Sequence, residues 1–212
     1  MAKKKLKIIF DWDGTLIDIE KKYCKVYKDI INTLGGKPIL HKVIWALKRK
    51  NASVELILSK SKLPPNLKSK YAQEIIGRIE KDEYLALDQL MPGVPRVLEN
   101  LKNKYTLILC TNRRDRQNLF TQLEHFQLRY FFDDIIFQKS KTLGEGKAGQ
   151  NDCIVVADSQ DYIVVVKKLK WISVAVFCGI RSRKYLQSYH PDFIIKDVRS
   201  LPDVLSKVQK EV

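Results

Sequence analysis

No apolar run in this 212-residue chain is as long as a membrane-spanning helix. The longest, residues 171–180, has about half the length such a helix requires and reads as a buried strand. Cysteine is scarce: Cys24, Cys110, Cys153 and Cys178 form no CxxC pair, and two of them sit inside apolar runs, where a free thiol behaves as a small hydrophobe. That usage fits a reducing, cytoplasmic setting. Lys3, Lys4 and Lys5 precede an apolar stretch, but it stops at Asp11, far short of the core of an export signal. Internal repeats and low-complexity tracts are absent. Acidic residues are outnumbered, 24 against 39 Lys and Arg, for a formal net charge of +15. Such a charge attracts nucleic acids and phosphorylated metabolites alike. With no basic helix and no aromatic RNA-binding motif, a nucleic-acid partner is not favoured over plain solvated surface charge.

The composition is that of a folded chain: 45% hydrophobic and 30% charged residues leave no room for a disordered reading. The length allows one large domain or one domain with a sizeable insertion. Six short apolar, β-branched runs have strand length: residues 6–10, 105–110, 134–137, 153–157, 172–177 and 193–195. Helix-patterned or loop segments separate the later ones. That alternation predicts an α/β core, a Rossmann-like, mostly parallel sheet covered by helices. The first two runs are separated by more than ninety residues with no strand pattern and several helical ones. Residues 19–34 read as one helix ended by Gly35 and Gly36, Pro38, Pro64 and Pro65 punctuate the stretch beyond it, and residues 67–87 read as the last long helix. The chain is therefore expected to comprise a core from residues 1–18 and 90–212 and an inserted α-helical cap from residues 19–89, with the site between them and hinges at 16–18 and 90–93. Tyr23, Tyr27 and Trp45 are either substrate contacts or cap core; helical spacing favours core.

The first strand runs straight into FDWDGTLID. Asp11 and Asp13 stand two apart, and alternate residues of extended chain point the same way, so both carboxylates can face one crevice while Gly14 makes a tight bend. A calcium loop would need Gly at its sixth position and Glu at its twelfth; those places hold Leu16 and Lys22. One carboxylate can attack while the other handles protons.

FDWDGTLID closely resembles the first motif of the haloacid dehalogenase-like phosphatases, a hydrophobic strand followed by DxDGT. The resemblance implies that Asp11 forms an aspartyl-phosphate and that Asp13 serves as general acid and then general base. The family's second motif, a Thr or Ser closing the next strand, falls on Thr111 in LILCTNRR, where the hydroxyl would hold a phosphoryl oxygen. The backbone around Asn112 is expected at a helix start, a favourable place for an anion. Gly14, Asn112 and Arg113 are the further substrate-binding candidates, with Arg114 and Arg116 nearer to solvated surface. CIVVADSQD resembles the acidic fourth motif, usually GDxxxD, and implies that Asp158 binds Mg²⁺ with Asp11 and the backbone carbonyl of Asp13. The third-motif lysine is assigned to Lys147 in GEGKAG, with Lys141 and then Lys139 as substitutes.

Three departures stand out. Residues 139–152 leave little room for a crossover helix, Ala157 replaces the usual Gly, and the second acid of the fourth motif, Asp161, arrives one residue early; as an N-cap it has a structural reading of its own. By resemblance the chain is a Mg²⁺-dependent phosphatase acting on a small phosphorylated metabolite, with the layout of a phosphoglycolate phosphatase. The alternatives are a catalytically weakened phosphate-binding or regulatory protein and a nucleotide or polynucleotide phosphatase.

Overall fold

The six apolar runs lie side by side in a single sheet. In chain order the strands are β1 (Lys7–Asp11), the two-residue β2 (Ile17–Asp18) and β3 (Gln89–Leu90), then β4 (Thr106–Thr111), β5 (Asp134–Phe137), β6 (Cys153–Ala157), β7 (Ile172–Val176) and β8 (Phe193–Ile195). The large sheet has the order β5-β4-β1-β6-β7-β8, with every neighbouring pair parallel, while β2 and β3 pair only with each other. This is a computed structural model and describes residues 5–137 and 153–211. Consecutive residues Ile8, Ile9 and Phe10 of β1 are all buried. Both faces of this central strand are therefore covered, which is why it reads as an unbroken apolar run. Ile9 packs with Ile108, Cys110, Val155, Ala157 and Trp171 in one of the cores.

By its internal packing the chain divides into Met1–Ile17 with Leu90–Val212, and Asp18–Gln89. The second unit holds α1 (Glu20–Thr33), α2 (His41–Arg49), α3 (Val54–Lys60), α4 (Lys68–Arg78) and α5 (Asp82–Leu85). The long helix expected over residues 67–87 is interrupted. Lys81 is extended and restarts the chain as α5, because the charged run Glu80 to Glu83 has no apolar face to bury, whereas Tyr84 and Leu85 do and are buried. The stretch between β1 and β4 also carries β2 and β3, each too short to leave an alternating pattern. Tyr23, Tyr27 and Trp45 are core residues of this unit. The ring of Tyr23 lies 6.1 Å from that of Trp45, and the Tyr27 hydroxyl is 2.7 Å from Ser61 Oγ.

The same unit buries an ion pair. Lys22 Nζ donates to Asp88 Oδ2 at 2.8 Å, with side-chain exposures of 2% and 0%. Removing one partner of such a pair strands the other charge in a medium that cannot solvate it. Lys22→Met is therefore expected to cost about 3–5 kcal/mol of stability in urea unfolding. The double variant Lys22→Met with Asp88→Leu should recover most of that loss, and a Lys22→Met protein as stable as the parent would refute the pairing.

The first unit adds α6 (Val94–Lys102), α7 (Arg116–His125), α8 (Gln160–Lys168), α9 (Arg183–Gln187) and α10 (Leu201–Glu211). α6 starts at Gly93, which is left-handed with φ +78°. No helix among the described residues is long and apolar enough to cross a membrane.

Candidate active site

β1 is flanked by β4 on one side and β6 on the other, so the carboxyl ends of all three open on the same edge of the sheet. The register pairs Asp11 with Cys110 and Phe10 with Val156. Thr111 therefore closes β4 beside Asp11, and Asp158 follows the last residue of β6 on its other side. Open α/β sheets bind ligands at such an edge, where connections leave the central strand to opposite sides.

Asp11 is 6% exposed, and the Trp12 N–H donates to its Oδ1 at 2.9 Å. Burial, then the neighbouring carboxylates of Asp158 and Asp13, push its pKa well above the ordinary range. Asp158 is fully buried and accepts the Ile180 N–H at Oδ2. Gly14 sits at φ +85°, in a turn where the Trp12 carbonyl accepts from the N–H groups of Thr15, Leu16 and Ile17. A Cβ on Gly14 would overlap Asp158 Oδ2, and one on Gly179 would overlap both that oxygen and the Gly14 carbonyl. The two glycines let backbone close directly around the Asp158 carboxylate.

Asp13 is gripped by Arg113. Arg113 Nε donates to Asp13 Oδ2 at 2.8 Å and Nη2 to Oδ1 at 2.7 Å, while Nη1 donates to Gln122 Oε1 at 2.6 Å. The bidentate fork fixes the carboxylate in plane and favours its ionised form. Gln122 also accepts the Trp12 indole N–H at 3.4 Å. Arg113 stands in this geometry as the partner of Asp13, with three of its nitrogens committed.

Thr111 is buried, and its Oγ1 accepts the Arg113 N–H at 3.2 Å. Asn112 is exposed and does not open a helix, contrary to the expectation from the sequence. α7 begins four residues later, capped by Asp115, whose side chain accepts the Asn118 N–H at 3.0 Å. Arg114 is exposed, and the Arg116 guanidinium lies 4.8 Å from the ring centroid of Phe137. Asp161 is exposed in the first turn of α8, whose cap position belongs to Ser159. Lys147, Lys141 and Lys139 lie outside the described residues.

Pattern reading missed Gln122, Tyr162 and Gly179. Gln122 and Tyr162 occupy inward positions of amphipathic helices, where periodicity announces core and nothing more. Tyr162 is 1% exposed, and its hydroxyl donates to Asp11 Oδ1 at 3.2 Å. Gly179 lies in a loop, and the Gly14 carbonyl and the Asp158 carboxylate packed against it distinguish it from a turn residue.

Among the described residues no three His, Cys, Asp or Glu side chains converge to hold an ion by themselves. A cation here would instead take the carboxylates of Asp11 and Asp158 and the backbone carbonyl of Asp13. This is an all-oxygen set with few protein ligands, the kind that suits Mg²⁺, which keeps several waters. Burial and, after it, repulsion from Asp158 and Asp13 raise Asp11, and a divalent cation held by these oxygens would offset that repulsion.

Residues 8–147 match the family model described as haloacid dehalogenase-like hydrolase. A phosphoglycolate phosphatase of Synechococcus elongatus is 24% identical over 96% of this chain and 99% of its own length. A phosphorylated carbohydrates phosphatase of Thermotoga maritima is 27% identical over 80% of this chain and 74% of its own. A haloacid dehalogenase-like family hydrolase from Streptococcus pneumoniae has the same fold, with a TM-score of 0.77 at 19% identity over 95% of this chain and 98% of that one.

Proposed function

Because the chain belongs to the haloacid dehalogenase-like hydrolases, we propose that it hydrolyses a small phosphate monoester through a phosphoryl group carried on Asp11, with Mg²⁺ as cofactor. The observation that carries this reading is the meeting of Asp11, Asp13, Thr111 and Asp158 at the carboxyl ends of three adjacent parallel strands. The names of the relatives from Synechococcus elongatus and Thermotoga maritima support a small phosphorylated metabolite as substrate.

In the first half-reaction a carboxylate oxygen of Asp11 attacks phosphorus, the bond to the ester oxygen breaks, and Asp13 gives its proton to the departing alcohol. In the second, Asp13 takes a proton from water, the water oxygen attacks phosphorus, and the Asp11 carboxylate leaves with inorganic phosphate as the product. The Arg113 fork suits Asp13 to the second of these tasks, since it favours the carboxylate. For the first task Asp13 carries a proton and gives up part of that fork. The Thr111 hydroxyl accepts from Arg113 and keeps its own hydrogen to donate to a phosphoryl oxygen. Mg²⁺ held by Asp11 and Asp158 would neutralise phosphoryl charge and relieve the repulsion between carboxylates and a dianionic substrate. Lys147 is proposed as a further positive group at the phosphate. Residues 19–89 are proposed as a cap that excludes bulk water and selects the alcohol.

The test is release of the phenol from a generic aryl phosphate. Turnover is expected with Mg²⁺, loss of it on chelation, and recovery when the metal is returned. Asp158→Asn should raise the Mg²⁺ concentration for half-maximal rate at least about tenfold. Full turnover after exhaustive chelation would remove the metal from the reading.

A further inference from the structure

The fourth motif ends differently here from the GDxxxD pattern it resembles. That pattern places its second acid four residues after Asp158, at position 162, where this chain has Tyr162, and the nearest acid is Asp161. One residue along a helix rotates a side chain by about 100°. Asp161 is accordingly exposed, with its Oδ1 accepting from the neighbouring Gln160 side chain, while Tyr162 is buried and faces the site. The shift of a single position has exchanged a carboxylate for a phenol beside Asp11.

The phenol is placed to donate. Its hydroxyl reaches Asp11 Oδ1 at 3.2 Å, the Cys110 carbonyl at 3.4 Å and Cys110 Sγ at 3.7 Å, and the nearest of the three is the carboxylate. Oδ1 thus receives two donors, the Trp12 N–H and the Tyr162 O–H, and no described residue donates to Oδ2. The competing explanation is that Tyr162 merely fills the core it shares with Ile9, Val155 and Val166. Phe would fill that space equally well without having to satisfy a buried hydroxyl.

We propose that Tyr162 is a positioning residue: its hydroxyl, together with the Trp12 N–H, pins Asp11 through Oδ1 in one rotamer, presenting Oδ2 to phosphorus in a site that has one carboxylate fewer than its motif. The inference rests on the role proposed above for Asp11. It assigns the support of Asp11 to a neutral donor at the position where the motif has an acid.

The test is Tyr162→Phe beside the parent protein, with three measurements. On an aryl phosphate kcat should fall about tenfold with KM within about twofold, since partners that orient a ligand act on the reacting geometry. Calorimetric titration with Mg²⁺ alone, with no substrate present, should show affinity about tenfold weaker. The melting temperature should stay within a few degrees, because the ring and its packing are retained. A variant that matches the parent in both kcat and Mg²⁺ affinity overturns the inference and leaves Tyr162 a core residue. A parent protein without turnover whose Mg²⁺ affinity still falls on substitution would keep the positioning role and sink the phosphatase reading. A drop in KM or melting temperature alone would also overturn it.

Discussion

Asp11→Asn is expected to yield a folded protein that turns over an aryl phosphate at least about 10⁴-fold more slowly, the scale of loss seen when a covalent nucleophile is removed. An amide oxygen is a poor nucleophile and cannot form the acyl phosphate that divides the reaction into two displacements. The fold has no reason to suffer. The amide is isosteric with the carboxylate, and its oxygen can still accept the Trp12 N–H and the Tyr162 O–H now received by Oδ1. Stability should hold or rise, because the substitution removes a buried charge that Asp158 and Asp13 both oppose. Loss of turnover with an unchanged or higher melting temperature is thus the signature of a residue kept for chemistry at some cost in stability. Residual activity of more than a few per cent, still dependent on Mg²⁺, would place the nucleophile elsewhere.

Gly179→Ala carries the second large effect, at a residue that takes no chemical part. Its Cβ would fall on the Gly14 carbonyl oxygen and on Asp158 Oδ2, two groups with nowhere to go. Gly14 is held at φ +85° with its N–H donated to the Ile17 carbonyl at 2.8 Å, and Asp158 is fully buried with Oδ2 taken by the Ile180 N–H. The loop carrying residue 179 must therefore move, and Asp158 with it. Overpacking of this kind costs about 1–3 kcal/mol of stability. A misplacement near 1 Å at a reacting centre lowers turnover about 10²-fold. Urea unfolding and steady-state rates at saturating Mg²⁺ measure the two separately. Parental values in both would mean that the contact between the two glycine turns is looser than the structure has it.

Much of this fold was legible along the chain because a parallel sheet buried on both faces leaves a simple mark. The runs at residues 134–137, 153–157 and 193–195 coincide with β5, β6 and β8, and β1, β4 and β7 differ from their runs by a residue or so at an end. The acids were legible for the same reason, since Asp11 and Asp158 stand where such runs stop. Legibility failed where local pattern and tertiary demand part company. The break between α4 and α5 follows from burying Tyr84 and Leu85, which a charged run of four residues conceals. The start of α7 at Asp115 in place of Asn112 follows from competition between two good caps only three residues apart.

The partners of the site were beyond any reading of spacing. Arg113 meets Asp13 across 100 positions, Tyr162 meets Asp11 across 151, and Lys22 meets Asp88 across 66. Nothing near Lys22 marks it among 39 basic residues as the one to be buried. What the sequence determined by itself was periodicity and its interruptions: which stretches are strands and which acids close them. What only the tertiary structure decided was which inward side chains meet. That depends on the order β4-β1-β6, which brings the ends of chain segments a hundred residues apart to one edge, and on glycines that let backbone close around a carboxylate. Hydrophobic periodicity encodes the direction in which a side chain points; the distance to its partner is set by the packing of all the elements at once.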